Sequence, residues 1–156
     1  MLEQEQASIA KFILSAVSEV SEVTPYYHEI KKNFKVPSIY FPADPEVIPT
    51  PDALDSYSLL YSWFVNVFQS TTADAFLLAK AALDAIVGQR YLIPLLHKSG
   101  AATGKGIRLK DAQIKKVDNG VYQLWLSWNS CKEYDDIGIP TETMMEYQVD
   151  YSTKIE

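Results

Sequence analysis

The segment from Gly100 to Gly106, GAATGKG, comes nearest to a nucleotide-binding motif. A phosphate-binding loop has the pattern G-x-x-x-x-G-K-[ST], in which the last hydroxyl binds magnesium and a helix follows. Here the glycines before Lys105 are one residue too close, Gly106 replaces the hydroxyl residue, and a strand pattern follows. We therefore predict a flexible glycine-rich loop and no bound cofactor.

Acidic and histidine side chains offer a second kind of chemistry. Asp135 and Asp136, with Glu133 close by, could hold Mg²⁺ or Ca²⁺, and a histidine brought near by folding would complete a small metal-dependent enzyme. The spacing is not that of a regular oxygen-ligand loop, and His28 and His97 are scattered. We interpret the aspartates as a solvated turn and expect no metal and no enzymatic activity, with the metal enzyme as the alternative from another class.

Cys131 is the single cysteine of the chain, so it has no intrachain disulfide partner. No histidine lies near it in sequence and no G-x-S-x-G motif occurs, so neither pattern of nucleophilic catalysis is present. We interpret Cys131 as a small packed residue in a protein of a reducing compartment.

The composition predicts one folded domain over residues 1–156, because 47% hydrophobic residues suffice for a core. A net charge of −6 repels phosphate, so we expect no direct binding to nucleic acid. No run of 18 apolar residues and no signal-peptide pattern occur, so we expect no membrane association.

The N-terminal half alternates helical and extended patterns. Residues 1–23 have apolar positions at helical spacing up to Pro25, and Glu29 to Phe41 favours a strand interrupted by Pro37. Four prolines between Pro42 and Asp55 favour a long loop, which docking segments often use.

The C-terminal half contains a long strand, a capped helix and a hairpin. Ser56 to Gln69 alternates at period two, Thr71 to Gly88 has the start and end signals of a helix, and Asn119-Gly120 predicts a hairpin turn. Residues 132–156 form a polar C-terminal arm. The fold class is α+β, with a small, mostly antiparallel sheet packed against two helices and an extended arm.

The long segment VPSIYFPADPEVIPTPDALDSYSLLYSWFVNVFQSTTADAFLLAKAAL resembles tail-terminator (tail-completion) proteins of long-tailed phages and prophages. The similarity continues through LIPLLHKSGAATGKGIRLKDAQIKKVDNGVYQLWLSW and into MMEYQVDY, so it covers roughly Thr24 to Tyr151. It implies a subunit that binds without catalysis and forms a hexameric ring on the tail tube. The implied partners are other copies of itself, the major tail tube protein and a head-side neck or connector protein.

The same resemblance implies a location in the host cytoplasm during assembly and then at the head-proximal end of the virion tail. A head–tail connector or another neck protein is the nearest alternative, because it would share this composition. Segments that order on a partner and aromatic residues on the second face of the strands are the expected contact sites. The candidate partner-binding residues are His97, Lys98, Gly100, Thr103, Gly104, Lys105, Phe64, Phe68, Trp125, Met144, Met145 and Tyr147.

Overall fold

In the computed structural model, which describes residues 2–30 and 32–134, two helices cover one face of a seven-stranded sheet. This confirms the predicted α+β class, although the sheet is more extensive than the small one expected. The elements in chain order are α1 (Leu2–Ser18), β1 (Thr24–His28), β2 (Ser38–Pro42), β3 (Glu46–Pro51), β4 (Ser56–Phe68), α2 (Thr72–Gly88), β5 (Leu92–Leu96), β6 (Ala102–Asp118) and β7 (Val121–Glu133).

The sheet has the strand order β1-β2-β4-β7-β6-β5, and β3 pairs with β4. All neighbouring strands are antiparallel except β1 and β2. β4 and β7 pair along their whole length, from Ser56 opposite Glu133 to Phe68 opposite Val121. The other edge of β4 is shared by β3 at its start and β2 at its end, so β4 and β7 form the centre of the sheet.

α1 follows the predicted apolar spacing, with Ile9, Ile13 and Val17 fully buried against the sheet and α2. The helix ends at Ser18, before Pro25, and Val20 lies beyond its end with an exposed fraction of 55%. The predicted helix is confirmed, and its last apolar position proves to be outside it.

α2 begins at the predicted N-cap, where the Thr71 hydroxyl accepts a hydrogen bond from the Asp74 N–H at 3.2 Å. Its buried face is lined mainly by small residues, which let the helix approach the strands closely. Phe76 lies at the margin of this face, where it is 37% exposed and packs edge-on against Tyr122. The buried residues of α2 are Ala75, Leu78, Ala79, Ala82 and Ile86.

The Pro42–Asp55 region is not the long loop that its prolines suggested, because Glu46–Pro51 forms the edge strand β3. Successive N–H groups of a strand point to opposite edges, and proline has none to donate. Since β3 pairs with β4, Pro49 and Pro51 must occupy the positions that face the free edge. Prolines at these positions leave the pairing intact and protect the edge from further strand addition.

The predicted strand between Glu29 and Phe41 is also different in the structure. β2 begins only at Ser38, and a separate strand, β1, lies upstream at Thr24–His28, where sequence patterns indicated only the end of a helix. Between them, Phe34 packs 4.8 Å from Phe68, ring centre to ring centre. Phe34 therefore anchors a connection rather than extending a strand.

The β6–β7 hairpin has the turn predicted at Asn119-Gly120. Gly120 adopts a φ of 72°, and a side chain there would meet the Gln69 carbonyl oxygen at 2.5 Å, so glycine is required. Its N–H donates to the Thr72 hydroxyl at 2.9 Å, which ties the turn to the start of α2.

Candidate assembly surfaces

The first candidate surface is the turn between β5 and β6, which contains His97, Lys98 and Gly100. The His97 N–H donates to the Ala101 carbonyl and the Gly100 N–H to the His97 carbonyl, both at 2.8 Å. The predicted flexible loop is thus wrong in extent, because a tight turn replaces its first part and β6 begins at Ala102. His97 and Lys98 remain exposed at the tip.

The remaining residues of this surface, Thr103, Gly104 and Lys105, belong to β6. The Thr103 hydroxyl donates to the Leu95 carbonyl at 2.7 Å and accepts from the Lys105 N–H at 3.1 Å, while Gly104 has a φ of 79° that glycine accommodates without strain. Deleting this segment would remove paired strand, so point substitutions are the appropriate test of its role.

A shallow cleft of about 470 Å³ lies between this turn and the N-terminal half of α1. Lys11 projects over the turn, since its Nζ would lie 3.3 Å from a Cβ placed at Gly100. Gln4 Nε2 donates to the Leu96 carbonyl at 2.8 Å, and Ser8 Oγ accepts from the Leu96 N–H at 2.9 Å. These bonds fix the turn relative to α1.

The second candidate surface is the outer face of the sheet, opposite the helices. Phe64 and Trp125 are cross-strand partners on β4 and β7, and Gln113 of β6 continues their row. Phe68 lies further along β4, against Phe34. Phe64, Phe68 and Trp125 are only partly buried, so the structure brings the three predicted aromatic residues onto one face.

Trp125 differs from the other tryptophans of the sheet in its polar atom. Its Nε1 is buried and has no hydrogen-bond partner among the described residues, whereas the Nε1 of Trp63 donates to the Pro42 carbonyl and that of Trp128 to Glu5 Oε2, both at 2.9 Å. A buried unpaired donor costs about 1–3 kcal/mol. Within residues 2–30 and 32–134, the outer face therefore carries a polar group without a hydrogen-bond partner.

Glu5 of α1 is buried between its helix and β7, on the helix-covered face of the sheet. Its exposed fraction is 6%. Burial raises its pKa above the ordinary value, although the Trp128 hydrogen bond and the nearby Lys132 act in the opposite direction. Oε1 of the same carboxyl group has no hydrogen-bond partner in the part of the chain that the structure describes. No sequence pattern distinguished this Glu from the other acids of α1.

Cys131 is exposed on β7, which corrects its interpretation as a packed residue. The period-two alternation places it on the outer face, where its Sγ lies 3.8 Å from the Asp52 carboxylate, and the same carboxylate accepts a hydrogen bond from the Ser58 hydroxyl. These contacts order the turn of the β3–β4 hairpin. Leu54, at that turn, is fully exposed, and sequence analysis missed it because the region was taken for a loop.

Several predicted residues lie outside the described part of the chain. They are Asp135, Asp136, Met144, Met145 and Tyr147. Among residues 2–30 and 32–134, no group of three His, Cys, Asp or Glu side chains is arranged to hold a metal ion. Neither helix of the described chain is long and apolar enough to span a bilayer.

The described residues form a two-layer α+β domain in which the helices cover one face of the sheet and leave the other open, and comparisons with known proteins place the protein more narrowly. No family model matches the sequence. The chain is 32% identical over 129 residues to the phage-like element PBSX protein XkdJ of Bacillus subtilis (strain 168), covering 83% of this chain and 85% of XkdJ. The protein belongs to the family of XkdJ.

Two further proteins are similar. The uncharacterized protein YqbJ of Bacillus subtilis (strain 168) is 28% identical over 123 residues, covering 79% of this chain and 83% of YqbJ. A chain in the virion of a native gene transfer agent particle is 16% identical, with a TM-score of 0.46, covering 83% of this chain and 94% of that chain.

Proposed function

We propose that this protein is a structural subunit of a phage or prophage particle that forms a ring on the completed tail tube. The ring ends polymerisation of the tube protein and offers a surface for attachment of the head. In this function the protein binds other proteins and carries out no reaction. It works in the host cytoplasm during assembly and then at the head-proximal end of the tail.

The observation that carries the proposal is the family relationship to XkdJ, a protein of a phage-like element, over most of both chains. The resemblance of the segments from Thr24 to Tyr151 to tail terminators supplies the finer role. Identity of 32% over this length implies a common fold. The open face of the sheet is consistent with a surface that assembles with partners.

The proposal assigns contacts to three parts of the chain. The β5–β6 turn, with His97 and Lys98, would contact one neighbour through exposed side chains on a fixed backbone. Phe64 and Trp125 would contact a second protein surface, which could also supply an acceptor for Trp125 Nε1. Met144, Met145 and Tyr147, beyond the described residues, would contribute a C-terminal contact.

The experiment that tests the proposal is electron microscopy of particles from a producing strain in which this gene is deleted. We expect overlong tubes, or tubes without heads and of uncontrolled length, because nothing ends their polymerisation. The wild-type gene supplied in trans should restore normal length. Supplying a His97→Ala, Lys98→Ala, Lys105→Ala variant should restore it poorly, because these changes remove exposed side chains without removing strand residues.

Two outcomes would contradict the ring-forming role. Tails of normal length joined to heads in the deletion strain would mean that another protein ends the tube. Tails of normal length without heads would instead identify a head–tail connector or another neck protein, which is the nearest alternative.

A further inference from the structure

Charge is separated along the chain in a way that its net value of −6 conceals. Half of the 14 Lys and Arg residues lie between Arg90 and Lys116, where Asp111 is the single acid. All seven are exposed, on β6 and on the turns that precede and follow β5. This basic β6 surface consists of Arg90, Lys98, Lys105, Arg108, Lys110, Lys115 and Lys116.

The β3–β4 hairpin has the opposite charge. No Lys or Arg occurs between Val36 and Ala79, and the exposed residues before, within and after β3 include four acids. This acidic hairpin surface consists of Asp44, Glu46, Asp52 and Asp55. β3 lies outside one edge of the β4–β7 centre of the sheet, and β6 and β5 lie outside the other.

The two surfaces do not neutralise each other within one chain. In the described residues, the one ion pair within 4.0 Å joins Lys80 to Asp84, four residues apart on α2. Two strands, β4 and β7, separate β3 from β6 in the sheet. Each charged surface is therefore available to a partner of opposite sign.

Both surfaces also contain exposed apolar side chains that could form the centre of a contact. On the hairpin, Val47, Ile48 and Leu54 are 45%, 56% and 101% exposed, and near the basic surface Leu92 and Val117 are 42% and 53% exposed. Interfaces commonly have such an apolar centre and a charged rim. The hairpin does not recruit a partner by adding a strand, because Pro49 and Pro51 remove donors from its free edge.

We infer that the acidic hairpin surface of one copy docks side chain to side chain on the basic β6 surface of the next copy. Because the two surfaces differ, the contact is head-to-tail, and repetition of one such contact builds a ring or a helical filament. The charge complementarity selects a second copy of this chain as the partner. Closure of the assembly into a ring rests on the proposed function.

Two charge-reversal variants test this interface. The hairpin variant carries Asp44→Lys, Glu46→Lys and Asp55→Lys, and it leaves Asp52 unchanged because that carboxylate bonds Ser58. The strand variant carries Lys105→Glu, Arg108→Glu and Lys110→Glu. At the substituted positions, each variant alone would place like charges opposite each other in every contact, whereas a mixture places Lys opposite Glu at those positions in contacts that alternate between the two variants.

Self-association is to be measured by sedimentation velocity over a range of concentrations, at low and at high ionic strength. Each variant alone should associate at least about tenfold more weakly than wild type, and the mixture should recover most of that loss. A chain carrying both sets of reversals should recover it as well. A matched control variant carries Glu19→Lys, Glu22→Lys and Glu29→Lys, which reverse the same number of exposed acids elsewhere on the chain. Mixing this control with the strand variant should not restore association.

The same variants are then expressed in the deletion strain, where the yield of complete particles is counted. Each alone should lower the yield at least about tenfold and co-expression should restore it. Mutual rescue in either assay supports the interface, and failure of rescue in both overturns it. The deletion phenotype is scored without these variants, so the ring-forming role and the interface are tested separately. Altered tails in the deletion strain, together with failure of the two variants to rescue each other, would indicate a ring-forming protein with a different interface.

Discussion

Trp125 and Trp128 lie three residues apart on β7 and point to opposite faces of the sheet. Trp128 is fully buried beneath α1, with its ring 5.5 Å from that of Tyr61 and its Nε1 bonded to Glu5. Trp125 lies on the outer face as the cross-strand partner of Phe64, and no atom of the described part of the chain accepts a hydrogen bond from its Nε1. On the covered face the tryptophan ring is fully buried and its Nε1 is hydrogen-bonded. On the outer face the ring is partly exposed and its Nε1 has no partner among the described residues.

Strand alternation determines which face of the sheet each side chain occupies, but it does not determine which face the helices cover. Period two assigns large apolar residues to both faces of β4 and β7, but the two helices cover only one face. Aromatic rings on the covered face complete the core. Rings on the open face contribute less to folding and remain available to a second molecule.

The largest expected difference between the faces follows from truncating each tryptophan. Trp128→Ala should lower the free energy of unfolding by about 3–5 kcal/mol, because it leaves a cavity between α1 and the sheet. Trp125→Ala should lower it by about 1 kcal/mol, because its ring is only partly buried. Urea unfolding followed by circular dichroism measures both, and similar losses would mean that the outer face is part of the core.

Replacing each tryptophan by phenylalanine is a more conservative change, which separates the contribution of the indole N–H from that of the aromatic ring. Trp128→Phe should cost about 1–3 kcal/mol, because the buried Glu5 carboxylate loses its donor. Trp125→Phe should be neutral or stabilising by up to about 1 kcal/mol, because it removes an unpaired buried donor. The opposite order in the same unfolding experiment would show that Trp125 Nε1 has a partner in solution.

Glu5 gives the helix-covered face of the sheet a dependence on pH. Its raised pKa means that the folded chain binds this proton more tightly than the unfolded chain, whose carboxyl has the ordinary pKa of 4.5. Stability from this group is therefore greatest at and below that pH, and it is lost as the pH rises through the folded-state pKa. Lys132 and Ser130 on β7 oppose the rise without abolishing it.

The Glu5→Gln variant should remove this dependence, because the amide is neutral at every pH and its oxygen can still accept from Trp128. Near neutral pH we expect the variant to be more stable than wild type by about 1 kcal/mol, with the difference shrinking on acidification. Urea unfolding at several pH values measures this. Glu19→Gln, which removes a carboxylate from an exposed position, is the matched control, and parallel curves for Glu5→Gln and wild type would contradict the prediction.

The class of the fold and the covered face could be predicted because they depend on local periodicity. α1, α2 and the β6–β7 hairpin were predicted from apolar spacing, the Thr71 cap and Asn119-Gly120, signals that tertiary contacts reinforce. β3 could not be predicted, because prolines usually indicate a loop, and only the pairing with β4 reveals that they lie at free-edge positions.

The candidate surfaces were predictable in part, for a related reason. Phe64, Phe68 and Trp125 share a face because strand alternation and the register of β4 with β7 place them there. The separation of charge between the β3–β4 hairpin and β6 depends on the strand order, which no local pattern encodes. The tight β5–β6 turn likewise depends on Ser8 and Gln4 of α1, far away in sequence.

A small effect on stability is also expected at Phe64, next to the buried Trp63 on β4. Phe64→Thr should lower the free energy of unfolding by only about 1 kcal/mol, because threonine favours strands and Phe64, the cross-strand partner of Trp125, is only partly buried. Supplied to the deletion strain, the same variant should nevertheless reduce the yield of complete particles, since the open face would lose an aromatic contact. An undiminished yield would mean that this face stays open in the assembled particle and that partners bind elsewhere on the chain.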